Sequence, residues 1–449
     1  MALNKVDLPT FGKPTMPIDK GINKDLLIGK HFYLNKLAKK SNYDIINKII
    51  KLYSIMNTNE IINHKEKLDN KKIKAVNFIS LMFGFSQALL IYVISSYFKK
   101  FFSTESIGFF YFFAYLVFLL ALLNFHKIIR KIGEANTFFI SFFILTSSLL
   151  VLKFAANQII GIVFIIIYMI FSNLSIVGLD IILESCSIDK MSGRVRGAYL
   201  SLSNAGFIFG PLISTNLLDK YGFNSIFLAA FLINAFVFLF ALIKFRGLNY
   251  KFAGRTGIAE IIGKIWQRKN IMRVYYINFI LEVFFAVMVI YSPIYLKDLG
   301  FSWPQIGFIF TIMLVPFVIL PYPLGWLADT KLGEKELLFF AIIILSSSTL
   351  SIYFINTTSI FIWALVMLLT RIGSASIQIL RDSYFYKRID RADIDLIDFF
   401  RTAVPAGYIA TMVFSLIFLA FFPLKYIFIF LSLLIISGLY PLVKMVDSR

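Results

Sequence analysis

Between residues 75 and 443 the chain strings together apolar stretches of about 20 residues separated by short polar loops, and few folds accept that pattern. A helix needs about 20 apolar residues to cross a hydrocarbon core ~30 Å thick. Backbone N–H and C=O groups find no water there, so they must pair within the segment. Twelve candidate spans result, at roughly 75–98, 107–125, 136–153, 159–183, 197–217, 223–244, 274–294, 305–327, 336–355, 359–380, 400–421 and 425–443. At 59% hydrophobic and 17% aromatic, the 449 residues exceed the 45–50% apolar content of soluble domains. The expected fold class is an all-α membrane protein.

The chain also repeats itself. Phe102-Ser-Thr-Glu-Ser-Ile-Gly108 lies over Phe301-Ser-Trp-Pro-Gln-Ile-Gly307 at an offset of 199, and Lys131-Ile-Gly133-Glu134 lies over Lys331-Leu-Gly333-Glu334 at an offset of 200. Each pair brackets an apolar run long enough to span. Two matches at almost one offset predict two copies of one six-helix unit, at 75–244 and 274–449, with 245–273 as a polar linker. An even number of spans per unit makes this a parallel repeat about an axis normal to the membrane.

The polar segments set the orientation. Residues 1–74 carry fifteen lysines and no arginine, and Ile45, Ile46, Ile49, Ile50 and Tyr53 form one helical face. A Lys-rich cytoplasmic arm with an amphipathic helix on the membrane surface is expected, and in the linker Ile258, Ile261, Ile262, Ile265 and Trp266 make a similar interfacial stripe. With the amino terminus inside, the inward loops hold Lys127, Arg130, Lys131, Lys190, Arg194, Arg196, eight basic residues from Lys244 to Arg273, Lys331, Lys335, Arg381, Lys387, Arg388 and Arg391. The outward loops hold Lys99, Lys100, Lys153, Lys220, Lys297 and Lys425. This asymmetry places both termini in the cytoplasm. The net charge of +20 resides in the arm and loops, so no nucleic-acid partner is expected.

Charged and amide side chains inside a span are costly and mark function. They fall in spans 1, 4, 7 and 10: Gln87, Asn173 with Asp180, Asn278 with Glu282, and Arg371 with Gln378. That period of three predicts that the first helix of each triplet lines a polar cavity and the third faces lipid. At ~1.5 Å per residue, Glu282 lies about 12 Å from the inner end of its span and Arg371 about 18 Å from the outer end of its own. Gln87, Asn173, Asn278, Glu282, Arg371 and Gln378 are therefore the candidate substrate- or ion-binding residues. Two readings of Glu282 and Arg371 stand: a structural ion pair between them, or Arg371 on an anionic or polar substrate group with Glu282 cycling a proton. Asp180 and Glu184, near the inner end of span 4, are either gate residues or groups snorkelling beside Lys190 and Arg194.

Gly325-Trp-Leu-Ala-Asp329-Thr-Lys-Leu-Gly333-Glu-Lys335, with two six-helix halves and a basic central loop, resembles the major facilitator superfamily and its signature between the second and third helix of a half. The resemblance implies that Gly325 permits close helix approach and that Asp329 latches the halves at a cytoplasmic gate. This copy is one residue longer between Asp329 and Gly333 than the commonest form. In the first half Ile129 takes the aspartate's place, and Gly133, Arg130 and Lys131 remain, so an asymmetric gate is expected. Gly197, Gly206 and Gly210-Pro211 follow the glycine spacing of the superfamily's antiporter signature, with Ser214-Thr215 replacing its closing glycines. Small residues four apart also let helices pack closely, and proline bends a span.

The resulting expectation is a secondary carrier with alternating access, proton- or ion-coupled, with export preferred to import. A nutrient or metabolite importer or uniporter of the same fold, or a non-transporting receptor or scaffold, is the alternative. The expected partners are the lipid bilayer of the cell (inner) membrane, a small-molecule substrate and H+ or another coupling ion, the chain acting as a monomer. His31, His64 and His126 lie outside every span, and Gly257 to Lys264 fails the phosphate-loop spacing, so neither an enzyme nor an ATP-driven pump is expected. One cysteine, Cys186, excludes an internal disulfide, and no metal or cofactor is expected.

Overall fold

The computed structural model describes residues 70–186, 192–246, 268–389 and 394–446. The amphipathic face at 45–53 and the interfacial stripe at 258–266 lie outside the described residues. Contacts divide the chain at Glu66, and every described helix belongs to the unit from Lys67 onward.

The first half runs through α1 (Asn70–Ile91), α2 (Ile94–Lys99), α3 (Thr104–Ile132), α4 (Glu134–Phe154), α5 (Gln158–Cys186), α6 (Ser192–Ile208), α7 (Gly210–Tyr221) and α8 (Phe223–Lys244). The second runs through α9 (Lys269–Asp298), α10 (Trp303–Leu314), α11 (Pro316–Ile319), α12 (Pro321–Thr330), α13 (Glu334–Phe354), α14 (Ile360–Lys387), α15 (Ile394–Arg401), α16 (Ala403–Phe421), α17 (Ile427–Ser437) and α18 (Leu439–Val443). Among the described residues eleven helical spans are long and apolar enough to cross a membrane. The twelfth position, span 5, is α6 with α7. Its hydroxyl and amide residues Ser201, Ser203 and Asn204 dilute its apolarity, and the helix is interrupted at Phe209 ahead of Pro211. Pro316 and Pro321 divide span 8 in the same way, since a proline supplies no N–H to the preceding turn. Ser302 caps α10, its own N–H donating to Gln305 Oε1 at 2.8 Å.

The halves meet as pseudo-equivalents. Lys99 Nζ pairs with Asp298 Oδ1 at 2.5 Å, and these two positions are 199 residues apart. Only residues beside a two-fold axis can touch their own equivalents, so this pair marks the axis at the end carrying the loops 100–103 and 299–302. Below it, α3 packs against α16 and α10 against α7. A Cβ at Gly108 would stand 3.3 Å from Ser415 Oγ. At the equivalent Gly307 a Cβ would overlap Thr215 Oγ1 and stand 2.9 Å from the Pro211 carbonyl oxygen. Further in, Tyr115 stacks on Tyr408 at 4.0 Å. The third-span helices α4 and α13 carry the repeat most fully: Glu134 and Glu334 are both buried, and Ser148 and Ser348 bond back to Leu145 and Leu345.

Spans 3, 6, 9 and 12 present bare apolar surface, with Phe143, Phe154, Leu239, Ile243, Phe340, Phe354, Leu433 and Val443 exposed. In water such a surface would aggregate; in lipid it is the solvated face. The axial ion pair is exposed, so its own contribution to stability is about 0.2–1 kcal/mol. Its value as a probe is positional. With Cys186→Ser as background, a Lys99→Cys/Asp298→Cys variant bridged by a short bifunctional thiol reagent is expected to lose about tenfold or more of its transport, and reversal of the bridge is expected to restore it. Unchanged transport in the bridged protein would show that this end does not open.

Candidate functional site

A cavity of about 390 Å3 lies between the halves. Gln87, Asn173, Glu282, Arg371 and Gln378 line it, five of the six residues expected at a binding site. Its lining comes from spans 1, 2, 4, 5, 7, 8, 10 and 11 and from none of spans 3, 6, 9 and 12. The second helices join the first because each crosses to the opposite half, α3 on α16 and α10 on α7.

Glu282 sits midway along the 30 residues of α9, which begins at Lys269 and not at 274, and is 7% exposed. Its partner is Arg381, whose Nη1 and Nη2 both stand 3.3 Å from Oε1. This corrects two expectations. Arg381 is not in an inward loop: α14 continues to Lys387 and buries it. Arg371 is not the counter-ion of Glu282. Runs of hydropathy end where charges begin, whereas the helix carries its charges inside because a carboxylate waits on the neighbouring helix. Arg381 Nη1 also donates to the Asn278 carbonyl at 3.4 Å, and Asp382 Oδ1 lies 3.5 Å from its Nε. Gly407 seats span 11 against this point, a Cβ there standing 2.7 Å from Glu282 Cβ.

Arg371 is 1% exposed, and its guanidinium carbon stands 5.3 Å and 5.6 Å from the ring centres of Phe284 and Phe285. Stacking on aromatic faces suits a weakly hydrated guanidinium. Its Nε and Nη2 find no hydrogen-bond partner among the described residues. Gln87 Nε2 donates to Ser172 Oγ at 2.8 Å, and Asn173 Nδ2 donates to the Met169 carbonyl at 2.8 Å. Asn278 does not reach the cavity; its Nδ2 donates to the Phe400 carbonyl at 3.1 Å, tying α9 to α15. Sequence reasoning passed over the tyrosines. Tyr92, Tyr111, Tyr115, Tyr168 and Tyr408 all line the cavity. Their signal was a hydroxyl within an apolar run, with Tyr111 and Tyr115 one turn apart, but 51 phenylalanines beside 22 tyrosines hid it.

The expected gate residues are less uniform. Asp180 Oδ2 meets Arg401 Nη2 of the other half at 3.3 Å, at the end opposite Lys99, and so is not a snorkelling group. Lys190 and the side chains of Arg194, Glu184 and Asp329 lie outside the described residues. Gly325 meets no atom of the described residues within 4 Å of where a Cβ would stand, so it serves no close approach in this state. Gly133 has φ 88°, a left-handed value that favours glycine at the α3–α4 joint. Gly333, with φ −73°, makes the equivalent joint in ordinary extended backbone. Arg130 is exposed in the last turn of α3, and Ile129, standing where the second half has Asp329, is buried. Gly206 and Gly210 do sit at close contacts with span 1: Cβ atoms there would stand 2.8 Å from Phe85 N and 2.7 Å from the Ala88 carbonyl carbon. Gly197 is helical within α6, and Pro211 opens α7. Among the described residues no group of three or more His, Cys, Asp or Glu side chains is placed to hold a metal.

Comparison with known proteins fits this arrangement. A search of curated proteins finds no match. Two crystal structures described as the nucleoside transporter NupG, one of them a point mutant, share the fold. For the mutant the TM-score is 0.64 at 13% identity, covering 83% of this chain and 99% of that one. For the other the TM-score is 0.65 at 12% identity, covering 84% and 99%. The sequence model of the Major Facilitator Superfamily matches residues 76–393, well over half of the chain. The chain is a membrane-embedded member of the Major Facilitator Superfamily.

Proposed function

We propose that the chain is a secondary carrier that moves a small solute by alternating access, rocking its halves, 75–244 and 274–449, about the cavity between them. The observation that supports this most is where the polar groups stand. Glu282, Arg371, Gln87, Asn173 and Gln378 converge on a cavity walled by both halves, and ion pairs bridge the halves beyond it at each end, Lys99 to Asp298 and Asp180 to Arg401. A site at the interface of two repeats is one that rocking can expose to either side. Both termini lie in the cytoplasm on this reading, in the cell membrane. Export is preferred on the glycine spacing of Gly206 and Gly210-Pro211.

Coupling to H+ runs through Glu282. Ionised, it holds Arg381 and binds α9 to α14; protonated, it releases that cation, and the two helices separate more readily. A Glu282→Gln variant is expected to keep solute exchange at equal concentrations while losing acceleration by a pH gradient, about tenfold or more. Gradient-driven uptake equal to that of the parent in reconstituted vesicles would refute proton coupling at this residue. A nucleoside, the solute named for the similar structures, is a second reading that the tyrosine lining supports, because base rings stack on aromatic faces.

A further inference from the structure

Among the described residues, the fully buried polar atoms of the cavity's lining side chains that find no hydrogen-bond partner are Arg371 Nε, Arg371 Nη2 and Tyr111 Oη. All three can donate. The fully buried amide oxygens without a partner among the described residues, Asn77, Asn234 and Asn278 Oδ1, belong to residues that do not line the cavity. Buried donors without acceptors are rare in folded proteins, and a ligand that supplies the acceptors relieves the cost.

The charges point the same way. Glu282 and Arg381 neutralise one another at 3.3 Å, which leaves Arg371 as the uncompensated charge of the cavity wall. Nε and Nη2 form one edge of the guanidinium fork, the edge that matches both oxygens of a single carboxylate. Both atoms are buried in this conformation, so the ligand meets that edge as the side chain swings into the cavity it lines. Beyond the cation the walls are aromatic: Tyr92, Tyr115, Tyr168, Tyr408, Phe285 and Phe317. A volume of about 390 Å3 is at the lower end for small-molecule sites, enough for a compact metabolite.

We propose that the solute is a small aromatic monocarboxylate, its carboxylate held side-on by Arg371 and its ring stacked among the cavity tyrosines. This rests on the carrier reading above and narrows it. One negative charge is what the wall calls for: a dianion would leave one charge unpaired in a low-dielectric site, and a neutral ring would leave the fork unmatched.

The test uses the full chain, purified in detergent and reconstituted into vesicles. Acetate, benzoate and indole-3-acetate are compared with the neutral benzamide, indole-3-acetamide and uridine, and with the dianion phthalate. Thermal stabilisation reads binding, and uptake of radiolabelled solute reads movement. Benzoate or indole-3-acetate is expected to bind at least tenfold more tightly than its own amide, and more tightly than acetate, uridine or phthalate. Arg371→Gln should erase the preference of acid over amide, and Arg371→Lys should keep the preference with affinity reduced about tenfold. If Arg371→Gln does not fold, Arg371→Lys carries the test. Amides or uridine binding as well as the acids, no acid binding at all, Arg371→Gln discriminating as the parent does, or Arg371→Lys binding the acids as tightly as the parent would each overturn the proposal. Acids that bind but never enter vesicles would refute the carrier reading and leave the ligand class standing. Neutral solutes that enter, independently of Arg371, would do the reverse.

Discussion

Replacing Arg381 with methionine is expected to lower the stability of the purified protein by about 3–5 kcal/mol, the cost of leaving a buried carboxylate without its cation. Glu282 and Arg381 have side chains only 9% and 7% exposed, so water cannot take over the role of the lost partner. The same substitution removes the contact between Arg381 Nη1 and the Asn278 carbonyl, which ties α14 to α9 one turn below Glu282. Methionine fills most of the vacated space, so the loss reports charge and not a void. The control rests on the same physics. Removing both charges, Arg381→Met with Glu282→Leu, should return stability to within about 1 kcal/mol of the parent, because a buried pair and an apolar pair of similar volume differ little. Unfolding curves in detergent for the four proteins of this cycle give the coupling directly. The doubly substituted protein should be folded yet insensitive to a pH gradient, which separates the structural part of the pair from its proposed proton chemistry. A parent-like curve for Arg381→Met alone would show that the pair is not desolvated.

The second large effect is expected at Gly307. Alanine there would place a methyl group against Thr215 Oγ1 and 2.9 Å from the Pro211 carbonyl oxygen, and the latter belongs to the backbone of the other half. A carbonyl cannot rotate away, so α10 and α7 must part. Overpacking of this kind costs about 1–3 kcal/mol, a factor of about 5 to 150 in the population of the state that contains the contact. Gly108 occupies the equivalent position in the first half, but its added methyl would meet Ser415 Oγ and Leu416 Cγ at 3.3 Å, both on side chains that can adjust. Gly307→Ala is therefore expected to cut turnover about tenfold or more and to widen the distance between spin labels placed at the 99–103 and 298–302 ends. Gly108→Ala should stay within about twofold of the parent. Equal effects at the two glycines would show that the halves are closer to true symmetry than the packing indicates.

That contrast also shows what the sequence could and could not convey. The duplication of Phe102–Gly108 in Phe301–Gly307 was visible, because two copies of one apolar unit must keep their bracketing turns. It predicted the twelve-span layout and the pseudo-axis that Lys99 and Asp298 now mark. Gln87, Glu282 and Arg371 were visible as cavity residues for an equally plain reason: a polar group within a span is expensive anywhere but an interior. Partner choice was not visible. Glu282 pairs with a residue ten positions beyond Arg371, about 15 Å along the same helix, and only the sliding of α14 against α9 decides between them. Asn278 was misplaced because an amide inside a span can equally bridge two helices. Gly325 was assigned a close approach through its motif, whereas contact depends on which access state the halves occupy. The tyrosines were overlooked because an aromatic ring within an apolar run reads as packing, and fifty-one phenylalanines surround them in the sequence.

Counterflow in reconstituted vesicles tests the central claim most directly. Vesicles holding unlabelled benzoate and indole-3-acetate are diluted into trace labelled solute, first with the Lys99→Cys/Asp298→Cys protein unbridged and then with it bridged. Alternating access predicts a transient accumulation of label above equilibrium that disappears on bridging and returns on release. Accumulation that persists in the bridged protein would contradict rocking of the two halves about this cavity, and absence of accumulation for these and for every neutral solute tried would contradict the carrier itself.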